Sequence, residues 1–223
     1  MNKNLQEIIM NPMVSRAAYV QRYSSSRLCD PENLATHVYE VQMIGLMIIN
    51  ELKKCSVEVD EHEFLMKSLL HDVDETVLGD TPRPLKYASP EIHDSIEEVA
   101  DDTARNLMYS YFEGDTADRY YRYYKQSKKD LTGFIVKMAD MLSVLKKVVF
   151  EVEYLHNLTM LKVVDNLVDY TESLCDSLSD LCKDDDNNII RSGHCPYILN
   201  NILVSSMEYI ISLKDKYSDI ERV

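Results

Sequence analysis

Residues 34–54 read LATHVYEVQMIGLMIINELKK, with apolar side chains at Leu34, Val38, Val41, Ile44, Ile48 and Leu52. Steps of three and four place all six on one face of a helix. Asp30 followed by Pro31 supplies a start signal upstream, because aspartate caps helix ends and proline is tolerated in a first turn. Gly45 lies inside the run with no breaker beside it, so it reads as a point of close packing and not as an end.

The same periodicity predicts further helices over about 61–72, 91–112, 131–154, 158–182 and 196–215. Between them, breakers and polar clusters mark loops at Ser24 to Pro31, Gly79 to Pro90, Gly114 to Asp118, Gln126 to Asp130 and Lys183 to Gly193. With 5 Gly and 6 Pro in 223 residues, the chain has too few turn residues for a β-sandwich. The expected fold class is all-α, and the length suits a single domain over 1–223. The run Asp184-Asp185-Asp186-Asn187-Asn188 lacks the alternating ligands of a calcium loop and reads as a solvated connector.

Charge and cysteines narrow the function classes. Lys and Arg number 24 against 38 Asp and Glu, a net charge of -14, which excludes nonspecific binding to a nucleic-acid polymer or an anionic membrane. Tyr109, Tyr111, Tyr120, Tyr121, Tyr123 and Tyr124 alternate with Arg119, Arg122 and Lys125, a mixture that can stack on bases. Glu113, Asp115 and Asp118 dilute that charge, and tyrosines at helical spacing read as packing. The 5 cysteines form no C-x-x-C pair and read as reduced thiols. No basic-then-apolar leader and no 18-residue apolar run is found, so a cytoplasmic protein without a membrane span is expected.

The chemistry concentrates in Leu69-Leu70-His71-Asp72-Val73-Asp74-Glu75, where an apolar helix ends in adjacent metal-ligand types. Asp140 sits within the apolar stretch Ile135-Val136-Lys137-Met138-Ala139-Asp140-Met141-Leu142. Burying a carboxylate there costs several kcal/mol unless it is paired or coordinates a metal. His37 lies on the amphipathic helix quoted first. His37, His71, Asp72 and Asp140 together would offer two imidazoles and two carboxylates, a set suited to a divalent Mn, Fe, Co, Ni or Zn ion. A coordination position open to water would permit hydrolysis. Glu75 follows His71 by four residues; if the helix continues, both share a face and Glu75 can handle protons beside the metal.

Three blocks of sequence, at matching spacing, resemble the HD-domain metal-dependent phosphohydrolases, most closely the bacterial HD-domain 5′-deoxynucleotidases. They are Arg22-Tyr23 followed by Glu32-Asn33-x-x-x-His37, His71-Asp72-x-x-Glu75-x-x-x-Gly79-Asp80-x-Pro82-x-Pro84-x-Lys86-Tyr87, and Val136-Lys137-x-Ala139-Asp140-x-Leu142. The likeness covers about 20–150. It implies a single HD-domain helical bundle with additional C-terminal helices from about residue 155. His37, His71, Asp72 and Asp140 would be metal ligands and Glu75 the acid/base residue. Asp80 would accept a hydrogen bond from the sugar 3′-hydroxyl, and Arg22 and Lys86 would face the phosphate. Tyr23 would sit in the nucleotide pocket where relatives often carry Trp, and its smaller ring would press less on the 2′ carbon. The implied reaction takes a small deoxynucleoside 5′-monophosphate to deoxynucleoside and phosphate; protonation of the leaving oxygen has no unambiguous owner. Two other readings stand beside it, a deoxynucleoside triphosphohydrolase releasing tripolyphosphate and a non-catalytic nucleotide-binding sensor. The resemblance also implies a homodimer. Beyond residue 155 no motif is found, and that part of the chain reads as packing or an oligomer surface.

Overall fold

The computed structural model describes residues 3–183 and 194–218, and its regular elements are all helical. The run Asp184 to Asn188 lies outside the described residues. The helices are α1 (Lys3–Ile9), α2 (Met13–Arg16), α3 (Leu34–Lys54), α4 (Glu61–Leu70), α5 (Glu75–Leu78), α6 (Arg83–Lys86), α7 (Pro90–Tyr111), α8 (Asp115–Gln126), α9 (Leu131–Val149), α10 (Lys162–Lys183) and α11 (His194–Tyr217). A π-helical turn, Phe150–Tyr154, extends α9, and a 3-10 turn, Leu158–Leu161, leads into α10. None of the described helices is long and apolar enough to cross a membrane. The fold class is therefore all-α, as the periodicity predicts.

Helices α1, α2, α5, α6 and α8 lie outside the expected set, α6 within the expected Gly79 to Pro90 loop, and two boundaries near the site differ from the sequence reading. Helix α3 starts at Leu34 and not beside Asp30, because the Asn33 side chain accepts the Thr36 N–H at 2.9 Å and so caps it. Asp30 is used elsewhere, its carboxylate facing the Lys147 ammonium at 3.0 Å. Helix α4 stops at Leu70, so Glu75 does not prolong the helix before His71 but opens α5. Helix α8 is absent from the expected set because its sequence, DTADRYYRYYKQ, carries its apolar surface on tyrosine rings and not on aliphatic side chains.

Helix α9 lies at the centre, packed by α3, α4 and α10, with α11 against α10. Its buried residues Phe134, Ile135, Met138, Met141, Leu145 and Val148 join Val41, Ile48, Ile49 and Leu52 of α3 and Leu167, Leu174 and Leu178 of α10 in the main core. A smaller cluster gathers Leu70, Val73, Ala104, Leu107 and Met108 under Tyr111, Phe112, Tyr120, Tyr121, Tyr123 and Tyr124. The tyrosine-rich stretch thus packs, and Tyr121 and Lys125 both turn to Asp101.

Gly45 is the contact between α3 and α4. A Cβ there would stand 2.0 Å from Phe64 Cζ and 2.5 Å from Cε2, inside a ring that is wholly buried. Alanine gains roughly 1 kcal/mol in helix propensity over glycine, but overpacking of this severity costs about 1–3 kcal/mol. The clash wins. Gly45→Ala should therefore lower the chemical-denaturation midpoint, and Phe64→Leu added to it should recover part of the loss; a more stable single variant would contradict this packing.

Lys67 joins α4 to the start of α9. Its side chain is fully buried, with Nζ 2.6 Å from Asp130 Oδ1, 2.8 Å from Thr132 Oγ1 and 2.9 Å from Glu63 Oε1. Asp130 also caps α9 by accepting the Gly133 N–H at 2.9 Å. Asp130→Ala removes the cap and strips a buried ammonium of its shorter carboxylate partner, for a loss of about 3 kcal/mol in urea unfolding.

Candidate metal centre

The site forms where α3, the end of α4 and the middle of α9 meet. Leu70 and Val73 anchor the His71–Asp74 turn in the smaller core, and their intervening neighbours His71 and Asp72 meet α3 and α9. One nitrogen or oxygen each from His37, His71 and Asp72 lies within 4.8 Å of the others, and this is the metal-capable group found among the described residues. Asp72 Oδ2 stands 3.1 Å from His71 Nε2 and 3.6 Å from His37 Nε2. Asp140 of α9 joins from the His37 side, its Oδ1 3.3 Å from His37 Nε2.

The two imidazoles are held so that the same atom of each faces this point. His71 Nδ1 donates to the Ser68 carbonyl at 2.7 Å. Ser143 Oγ donates to the Asp140 carbonyl at 2.8 Å and therefore accepts from His37 Nδ1 at 3.0 Å. Both Nε2 lone pairs are then directed inward. Each Nε2 is buried without a hydrogen-bond partner, a costly condition for a polar atom. Two orphaned imidazole nitrogens beside two carboxylates fit a divalent cation.

The electrostatics are those of a crowded acidic pocket. Burial disfavours the Asp72 carboxylate, but His71 and His37 outweigh it and hold its pKa well below the usual range. Asp140 is likewise brought down to about 2, burial being overcome by the His37 contact. Glu75 goes the other way, pushed up to about 9 by burial and by Asp72, with Arg22 opposing. Burial works against the Arg22 charge, yet Asp72 and Glu75 more than compensate and raise its pKa.

Arg22 reaches the pocket from outside the helical bundle. Its N–H bonds to the Glu32 carbonyl at 2.9 Å, and the Leu34 N–H bonds to the Val20 carbonyl at 2.9 Å, so the two segments pair antiparallel just before α3. The guanidinium then lies 3.5 Å from Glu32, 3.5 Å from Asp72 and 3.7 Å from Glu75. Tyr23 follows with φ +56, a left-handed conformation costing a tyrosine about 1–3 kcal/mol. It is held there by Asp80 Oδ2, which accepts the Tyr23 N–H at 2.7 Å. Asp80 is delivered by Gly79, whose φ of +80 closes α5. Lys86, by contrast, is turned to Glu97 of α7.

The expected site residues His37, His71, Asp72, Asp140, Glu75, Arg22, Tyr23 and Asp80 therefore converge, while Lys86 stands in an ion pair at the edge. Sequence reading missed several neighbours. Ser143 falls one turn after Asp140, a spacing that marks it as sharing a face. Lys128 lies in a segment that reads only as a loop; crowding disfavours its ammonium, but Asp72, Glu97 and Asp140 outweigh this and raise its pKa. Tyr170 of α10 donates to Asp140 Oδ2 at 3.1 Å and has no local signal in the sequence.

Comparison with known proteins places the chain in a family. A 5′-deoxynucleotidase of Vibrio parahaemolyticus is 27% identical over 108 residues, covering 47% of this chain and 56% of that protein. One from Yersinia pestis is 26% identical over 136 residues, covering 58% of this chain and 66% of that protein. The chain spans about half to two thirds of the length of these curated relatives. Among solved structures, an HD-domain phosphohydrolase from Listeria innocua aligns with a TM-score of 0.65 at 18% identity, over 96% of this chain and 98% of its own. A conserved protein from Pyrococcus furiosus aligns at 0.58 with 21% identity, over 87% and 98%. These likenesses show the HD-domain fold. The model of the YfbR-like 5′-deoxynucleotidases matches from residue 10 to residue 174, through α3 to α9 and into α10, and the chain belongs to that family.

Proposed function

We propose that the protein is a metal-dependent phosphohydrolase that converts deoxynucleoside 5′-monophosphates to deoxynucleoside and orthophosphate. The observation that carries this reading is the convergence of two orphaned imidazole nitrogens and two carboxylates beside Glu75 and Arg22. His37, His71, Asp72 and Asp140 would hold a divalent transition metal, with Mn, Co, Fe, Ni and Zn all compatible with the N/O set. When bound, such an ion makes water more acidic and neutralises phosphoryl oxygens.

The chain's own groups supply the rest. Burial and the Asp72 charge keep Glu75 protonated, and a cation held by Asp72 would offset that charge, so that the Glu75 carboxylate could take a proton from the attacking water. Arg22, in charged contacts of 3.5 to 3.7 Å and no closer, can exchange a protein carboxylate for a phosphate oxygen. Asp80 spends Oδ2 on Tyr23, leaving Oδ1 to accept from the sugar 3′-hydroxyl. Lys86 meets the phosphate once its pair with Glu97 opens; half-exposed pairs of this kind hold by roughly 1 kcal/mol or less. Tyr23, beside Arg22 with its ring 5.8 Å from the guanidinium carbon, bounds the sugar pocket.

The test is phosphate release from a panel of deoxynucleoside and ribonucleoside monophosphates and deoxynucleoside triphosphates, with Mn or Co supplied. Orthophosphate from deoxynucleoside monophosphates is the expected product. Tripolyphosphate would replace this reading with triphosphohydrolysis, and stoichiometric unhydrolysed nucleotide would replace it with a sensor.

A further inference from the structure

We propose that Tyr170, backed by Arg83, is a positioning residue for Asp140, so that helix α10 sets one arm of the metal centre. The inference rests on the metal-centre reading above and adds a residue from beyond the part of the chain that carries motifs.

Asp140 divides its two oxygens between different partners. Oδ1 lies 3.3 Å from His37 Nε2, and Oδ2 accepts the Tyr170 hydroxyl at 3.1 Å. The phenol has a single proton, and the Lys137 carbonyl stands 3.4 Å away as a competing acceptor. The closer, ionised carboxylate takes it, since charge-assisted bonds are about twice as strong as neutral ones. Rotation of the Asp140 carboxylate is thereby opposed: turning Oδ1 away from the imidazoles breaks the bond at Oδ2. A tyrosine needed only to fill space between α9 and α10 could be phenylalanine. The hydroxyl has its own partner in the site.

Arg83 completes the arrangement. Its guanidinium carbon lies over both the Tyr170 and Tyr87 rings, 5.0 Å from each centroid. Among the described residues no carboxylate pairs with it. A cation on the face of a phenol withdraws electron density from the ring and makes its hydroxyl a better donor. Arg83 lies on α6, in the segment that carries Asp80 and Lys86, so it also couples that substrate-side turn to α10.

Cobalt(II) titration of the metal-stripped full chain, followed by its visible absorption, tests this without substrate. Tyr170→Phe should weaken cobalt binding by about 10- to 100-fold, the usual effect of removing a partner that orients a ligand, with the metal-free melting temperature kept. Arg83→Gln should weaken it by a smaller factor in the same direction. Wild-type affinity in Tyr170→Phe overturns the proposal while leaving the metal centre standing. Absence of cobalt binding by the wild type overturns both. If Tyr170→Phe unfolds, Arg83→Gln decides: unchanged affinity overturns the proposal, and a measurable loss upholds it.

Discussion

Glu75→Gln should slow phosphate release by about 10²–10⁴-fold and, in protein stripped of metal, raise stability at neutral pH. The first effect follows from the role assigned to the carboxylate: glutamine keeps its shape but cannot accept a proton from water. Metal content should hold, because Glu75 lies outside the group of His37, His71 and Asp72. The second effect has the opposite sign because Glu75 is a strained acid in this pocket. Its folded pKa of about 9 lies above its ordinary value of 4.5. Between those values the folded chain keeps the proton and the unfolded chain releases it, so stability falls as pH rises across that window. At pH 7 the neutral amide removes up to about 3 kcal/mol of that penalty. Metal-free wild type and variant compared by thermal melting at pH 4 and pH 7 should be equal at the lower pH and separate at the higher. Full activity in the variant would rule out Glu75 as the proton acceptor.

Asp72→Asn, three residues away, should also abolish activity yet move stability the other way. Asp72 Oδ2 is shared by both imidazoles, and Arg22 stands 3.5 Å from it. Its pKa is depressed by His71 and His37 against the effect of burial, so its ionised form stabilises the fold above the ordinary aspartate range. That contribution fades as pH falls below it. Replacing it by an amide leaves the buried Arg22 guanidinium short of a counter-charge, a loss of about 3 kcal/mol at neutral pH. Bound metal, measured by elemental analysis after desalting, should fall from one per chain to near none. Two neutralising substitutions at neighbouring positions thus give opposite shifts in melting temperature with the same loss of turnover. A purely structural reading of either carboxylate does not produce that pattern.

What the sequence makes legible is what it repeats or spaces. The three- and four-residue steps of α3 and the apolar run of α9 predict buried helices because a buried face requires them. Gly45 is readable as a close contact because a glycine inside a helix needs a packing reason, and Phe64 is that reason. The resemblance brings together His37, His71, Asp72 and Asp140, which the folded chain gathers from α3, the turn after α4 and α9. Helix α8 is hidden because amphipathic patterns are sought in aliphatic residues, and around Ala117 it packs with half-buried tyrosines. Ser68 enters the site through a backbone carbonyl, which no residue type advertises. Tyr170 enters through a helix crossing, visible only once α10 is laid on α9. The start of α3 is not legible because Asp30 and Asn33 are equally good caps by type. The choice fell to Asn33 once Lys147 and Glu151 had taken Asp30.

That last contact sets an order on how the protein comes into being. Glu151 is wholly buried, and its carboxylate accepts the N–H groups of Cys29 and Asp30 at 2.9 Å each and the Asn157 side chain at 2.7 Å. The segment carrying Arg22 is therefore tied down by a residue more than a hundred positions later in the chain. During synthesis, His37 and His71 emerge long before that tie exists, and closing so long a loop is slow compared with forming local helices. Imidazoles and Asp72 can meet on the nascent chain only in part, because Asp140 is still to come. The Arg22 guanidinium, which faces Asp72 and Glu75, is fastened only after the π-helical turn that carries Glu151 has been made. A partly synthesised chain accordingly holds neither the complete His37, His71, Asp72 and Asp140 pocket nor a fixed Arg22 segment until Asp140 and Glu151 have both been added.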